Sequence, residues 1–192
     1  MRTVRFLGAF LTSAMAVHAG IIVYGASLVG SQEVPPTGSP GTGAALVTID
    51  TVMQTLSVNV TFSGLGSGTT ASHIHCCAPV GVNAIVATTT PTFPNFPLGV
   101  TSGTYNMTFD LTMSSSYNPA FVTANGGTVA SAESTLLAGL AAGQTYLNIH
   151  TTNFGGGEIR GQLAVVPEPA TWILTGAVLA GLMAARRKKI LL

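Results

Sequence analysis

Leu56, Val58, Val60 and Phe62 occupy every second position of one run, with Ser57, Asn59 and Thr61 between them. Side chains alternate faces along a strand, so this run reads as a strand with one buried and one polar face. A helix would scatter the same apolar residues around its circumference. One-sided strands of this kind belong to antiparallel sheets. Composition agrees, because only 7% of the 192 residues are charged while 47% are hydrophobic and 23 are glycine. Disorder goes with high charge and few β-branched residues, whereas Val, Thr and Ile abound here.

Further strands are expected at Ile21–Val29, Ala45–Asp50, Thr70–His75, Ile85–Thr90, Thr104–Asp110, Thr145–His150 and Glu158–Val165. Gly/Pro-rich punctuation separates them, as between Pro35 and Gly43 and across Asn153–Gly157. Ser131–Ala142 differs: Leu136, Leu137 and Leu140 have helical spacing, and Gly143 is placed to cap the C-terminus. The last two strands read as a hairpin around Gly155, Gly156 and Gly157. The expected fold is all-β: an antiparallel, Greek-key-like β-sandwich with one short crossover helix, plus a C-terminal hydrophobic helix.

The two ends read as transport machinery. Residues 1–19 have the form of a secretory signal peptide, with Arg2 and Arg5 leading an apolar run from Phe6 to Val17 and Val17-His18-Ala19 as the cleavage site. Residues 20–165 are left as one domain, long enough to bury a sizeable core. Residues 166–192 carry Pro167-Glu168-Pro169, an apolar stretch from Thr171 to Ala185, and the cluster Arg186-Arg187-Lys188-Lys189. The basic cluster marks the cytoplasmic side of a membrane helix. Six of the 7 basic residues lie in these ends. Between them Arg160 is the single base, so no basic patch exists and nucleic-acid binding is not expected.

The chemistry-bearing residues concentrate in His73-Ile74-His75-Cys76-Cys77. On a strand His73 and His75 share a face, and His150 lies on a strand that can pair nearby. Three imidazoles with an open fourth position suit Zn or Cu, and Glu158 or Cys76 stands ready as a fourth ligand or a partner that orients the ligands. The bland alternative is that these histidines hydrogen-bond within a polar sheet edge. Glu158 and Arg160 are two apart, and a buried Arg160 needs a carboxylate partner, with Glu33 a candidate. Cys76 and Cys77, the only cysteines, have four states open to them: a bridge to each other, free thiols, a metal thiolate, or bridges to another chain. No G-x-S-x-G elbow, Walker loop or H-E-x-x-H helix occurs, so no enzyme activity is expected.

Two family resemblances follow from these residues. The tail, with Pro167-Glu168-Pro169, one apolar helix and a terminal basic cluster, resembles a PEP-CTERM sorting signal. That implies export through the Sec translocon, recognition by an exosortase-type protease, and release or attachment at the cell surface. The body resembles a CHRD domain through Leu28–Pro36, His73-Ile74-His75, Leu137-Ala138-Gly139-Leu140 with Gly143, Tyr146–Thr151 and Gly157–Leu163. It implies an extracellular β-sandwich module. The H-x-H strand is also distantly similar to copper/zinc superoxide dismutase, but that family's bridging and zinc ligands have no counterpart between His75 and His150. The expected role is a non-enzymatic surface module that binds a matrix component, such as a polysaccharide, or a protein partner. The alternative is a Cu/Zn-binding or redox protein using His73, His75 and His150.

Overall fold

Turn chemistry sets where the strands stop. The computed structural model describes residues 20–167. Within them β1 (Ile21–Val29), β2 (Thr42–Asp50) and β3 (Thr55–Ser63) form an antiparallel meander in continuous register, from Ile21 opposite Asp50 to Thr42 opposite Ser63. At the β2–β3 turn, Asp50 Oδ1 accepts from the Val52 and Met53 N–H groups, a side-chain mimic of a backbone turn. The alternation read at Leu56–Phe62 holds: those four apolar residues are buried, and Asn59 and Thr61 are exposed.

The chain then reaches β4 (Thr69–Cys76), returns through β5 (Gly103–Asp110), and passes two helices, α1 (Pro119–Ala124) and α2 (Val129–Ala141). It closes with β6 (Thr145–Thr151), β7 (Ile159–Gln162) and the two-residue β8 (Ala164–Val165). All pairings are antiparallel, in the order β4-β6-β7-β1-β2-β3-β5, with β8 on β1. The result is one sheet curled into a half barrel, not two sheets stacked as a sandwich. The link is β7, which pairs with β6 on one side and with β1 on the other, through Val29 opposite Arg160.

Three expectations are corrected in detail. Ile85–Thr90 makes isolated bridges only, His75 to Val86 and Thr88 to Tyr117. That segment lies along β4, with the Ala87 N–H donating to Ile74 O and the Thr88 hydroxyl accepting from the Ile74 N–H, until Pro91 ends the run. Glu158–Val165 breaks at Leu163 into β7 and β8. Two α-helices, not one, lie between β5 and β6. Asn118 caps α1 by accepting from the Ala120 N–H, with Pro119 in the first turn, where its missing N–H costs nothing. Thr128 and Ser131 form a reciprocal capping box at the start of α2.

The core is continuous. Val47, Ile49, Leu56, Val58 and Val60 from the meander join Leu136 and Leu140 of α2 and the aromatic group Phe93, Phe96, Tyr105 and Phe109. Phe93 stacks on Tyr105 with centroids 5.5 Å apart. The signal segment 1–19, the apolar stretch Thr171–Ala185 and the motif residues Glu168 and Pro169 lie outside the described residues. Among the described residues no helix is long and apolar enough to cross a membrane.

Candidate metal centre

The β4–β6 register builds the site. It sets His75 opposite Tyr146, His73 opposite Asn148 and Ala71 opposite His150. Directly opposed residues share a face, so His73 and His75 meet Tyr146, Asn148 and His150 on one side of the sheet. Ile74, Leu147 and Ile149 point the other way, each fully buried in the core. One ring nitrogen from each of His73, His75 and His150 lies within 4.8 Å of the other two. His73 and His75 are 6% and 8% exposed, while His150 is half-buried and forms the more open side.

Backbone carbonyls fix the tautomers. Pro91 O stands 2.7 Å from His73 Nε2, Ala84 O 2.8 Å from His75 Nδ1, and Gly155 O 2.9 Å from His150 Nδ1. A carbonyl oxygen only accepts, so each facing nitrogen carries the proton and donates. The remaining nitrogens, His73 Nδ1, His75 Nε2 and His150 Nε2, are then bare lone pairs. His73 Nδ1 and His150 Nε2 stand 3.3 Å apart, and His75 Nε2 is buried without a partner.

Protons do not fill this gap near neutral pH. Burial lowers His73 and His75 to about 4 and lowers His150 as well. Neutral imidazoles with facing lone pairs repel, and a cation among them turns the repulsion into coordination. The His73–His150 spacing of 3.3 Å suits one, since a tetrahedral ion with bonds of about 2.0–2.1 Å sets its ligand nitrogens about 3.3–3.4 Å apart, and His75 supplies a third nitrogen within 4.8 Å. The donor set therefore fits Zn or Cu.

The other predicted residues divide differently. Arg160 and Glu33 do pair, with Nε 3.6 Å from Oε2 and both side chains 4% exposed. Burial pushes Glu33 up to about 7, against the pull of the Arg160 charge. Glu158 belongs to neither this pair nor the imidazole cluster. Its Oε1 accepts from the Ser39 hydroxyl and the Gly66 N–H, and its Oε2 from the Thr151 hydroxyl, so it staples three segments together. Cys76 and Cys77 are bonded to each other. Cys76 faces away from His75, toward α2, and neither sulfur joins the imidazoles.

Two neighbours of the site, Tyr146 and Asn148, were missed as such from sequence. Their signal was the every-second-residue run Tyr146, Asn148, His150. Tyr146 stacks on His75, and the Arg160 guanidinium lies 4.4 Å over the Tyr146 ring. Gly157 makes room behind them, since a Cβ there would run into Glu33 Oε1 and Asn148 Nδ2.

The PEP-CTERM protein-sorting motif model matches residues 165–188, marking an exported protein sorted to the cell surface through exosortase processing. No curated protein and no solved structure matches the chain. The CHRD domain model matches residues 24–163, a span that holds all three histidines, the Glu33–Arg160 pair and both cysteines. The chain belongs to the CHRD domain family.

Proposed function

We propose that this exported domain is a surface metal-binding module that holds one Zn or Cu ion through His73 Nδ1, His75 Nε2 and His150 Nε2. The observation that carries the reading is the tautomer lock: three carbonyls accept from the outer nitrogens, holding the protons there, and leave an inner lone pair on each of three clustered rings. A hydrogen-bonded structural cluster would need a proton between His73 Nδ1 and His150 Nε2, yet both rings already direct their N–H at carbonyl oxygens. Binding of a matrix component or protein partner rests on the sorting signal, which sends the chain to the surface without specifying a ligand. The imidazole geometry is the more specific observation. No reaction is assigned to the site.

Metal analysis of protein purified without an affinity tag tests the reading. About one equivalent of Cu or Zn, or a rise in melting temperature when either is added, is expected. His150→Ala, at the half-buried position, should fold and lose the ion. Absence of bound metal, together with no thermal shift from either ion, would overturn the proposal.

A further inference from the structure

Hairpin tips are ordinarily built from Gly, Asn, Asp, Pro and Ser, yet the β2–β3 tip carries Val52 and Met53. Asp50 Oδ1 holds the turn by accepting from both of their N–H groups, and their side chains stay 68% and 69% exposed. Singly exposed apolar residues are ordinary, whereas a contiguous group marks a contact surface. This tip is part of such a group. The Thr51 N–H donates to Gly20 O, which sets exposed Ile21 beside it. On the other side the Leu111 N–H donates to Gln54 O, and exposed Met113 follows. On the adjoining wall exposed Val166 and Leu46 close over Gly25, where a Cβ would meet both side chains.

Where the chain leaves the domain indicates what covers this rim. The Val166 N–H donates to Val23 O at 2.8 Å, so the C-terminal exit lies against the start of β1. Only Glu168, Pro169 and Ala170 then separate Pro167 from the apolar stretch Thr171–Ala185, a reach of at most about 14 Å. A bilayer that takes up that stretch lies close enough to meet the rim. The attraction is apolar and not ionic, because the buried Arg160 is the only Lys or Arg among residues 20–167. The nearest carboxylates are engaged locally, Asp50 by the turn, Asp110 by the Thr112 N–H and Glu133 by the Gln54 amide. Three carboxylates without a cation disfavour an anionic surface, and a zwitterionic phosphatidylcholine surface fits.

We propose that this rim is the domain's lipid-facing surface, with Val52 and Met53 entering the headgroup–acyl boundary of the bilayer that takes up the tail. This seating turns the imidazoles outward, since His73 is level, through Asn148 and Arg160, with Val29 at the far end of β1. It rests on the apolar stretch entering the bilayer and is independent of any metal.

NMR of the full chain in phosphatidylcholine nanodiscs, with methyl-labelled Met and Leu and a lipid-borne spin label, is the test. The Met53 and Met113 signals should be lost and that of Leu98 retained. Leu98 is exposed at the opposite end, where the segment after it pairs with Leu65 and Thr69 past the end of β3. The variant Val52→Ser/Met53→Ser, changed only at the exposed tip, should keep its fold and recover the Met113 signal. A retained Met53 signal, an unrecovered Met113 signal in the variant, or failure of the chain to enter the discs would each overturn the proposal. So would a Met53 methyl shielded from a soluble gadolinium chelate yet untouched by the lipid label, which would place a second copy of the chain on the rim.

Discussion

The ring of Tyr146 lies parallel to that of His75, with centroids 4.7 Å apart and planes 7° from parallel. One residue clasps both: Ala84 O accepts from His75 Nδ1, and the Ala84 N–H donates to the Tyr146 hydroxyl oxygen at 3.2 Å. Arg160 over the Tyr146 ring extends the column. Stacking and hydrogen bonding at this tyrosine are therefore separable. Tyr146→Phe should cost about 1 kcal/mol in denaturant unfolding, the worth of one hydrogen bond. Tyr146→Ala should cost about 3–5 kcal/mol through the cavity it opens, and should loosen His75 enough to weaken metal binding. Equal losses in the two variants would contradict this division.

Stability of the metal-free protein should rise with pH between about 4.5 and 6.5. Burial depresses His73 and His75 in the folded state, so the unfolded chain binds more protons in that window. Each contributes stability that is full above the unfolded value and lost as pH falls toward about 4. Glu33 acts oppositely, because its raised folded value makes the native state bind the extra proton. The net slope should be about 1–2 kcal/mol per pH unit, and Glu33→Gln should steepen it. Chemical denaturation at several pH values measures both, and a flat profile would contradict the burial of neutral histidines.

Gly139 sits where α2 passes over the disulfide, and a Cβ there would collide with the sulfurs of both Cys76 and Cys77. In an exposed helix Gly→Ala gains about 1 kcal/mol. Here Gly139→Ala should instead lose about 1–3 kcal/mol to overpacking. In a Cys76→Ala/Cys77→Ala background the sign should reverse, because the obstructing atoms are gone. A double-mutant cycle reads the coupling directly.

Glu158 is fully buried and accepts three hydrogen bonds from three separate segments. Glu158→Ala should cost at least about 3 kcal/mol, since the Gly66 N–H and the Ser39 and Thr151 hydroxyls would all lose a buried acceptor. Metal stoichiometry in the folded fraction should not change. A lost ion with unchanged stability would make Glu158 a ligand instead of a staple.

What the sequence made legible was periodic or locally punctuated. The alternation of Leu56–Phe62 gave β3, the leucine spacing with Gly143 gave α2, and the same-face rule paired His73 with His75. Two kinds of feature stayed hidden. Topology was one, since a four-residue β7 joining β6 to β1 decides between one curled sheet and two stacked ones, and nothing in Ile159–Gln162 announces two partners. The other was the set of loop carbonyls at Ala84, Pro91 and Gly155, because every residue carries a carbonyl and only the fold aims it. Asn118-Pro119, by contrast, is a helix start that the sequence spells out, a capping side chain followed by proline.

The central claim is that the inner nitrogens of three neutral imidazoles converge as lone pairs. Long-range proton–nitrogen NMR of nitrogen-15-labelled protein near neutral pH measures it, before and after one equivalent of zinc. The account predicts protons on His73 Nε2, His75 Nδ1 and His150 Nδ1, with zinc shifting His73 Nδ1, His75 Nε2 and His150 Nε2 selectively. A proton on any of those inner nitrogens in the metal-free protein, or zinc leaving all three unmoved, would contradict it.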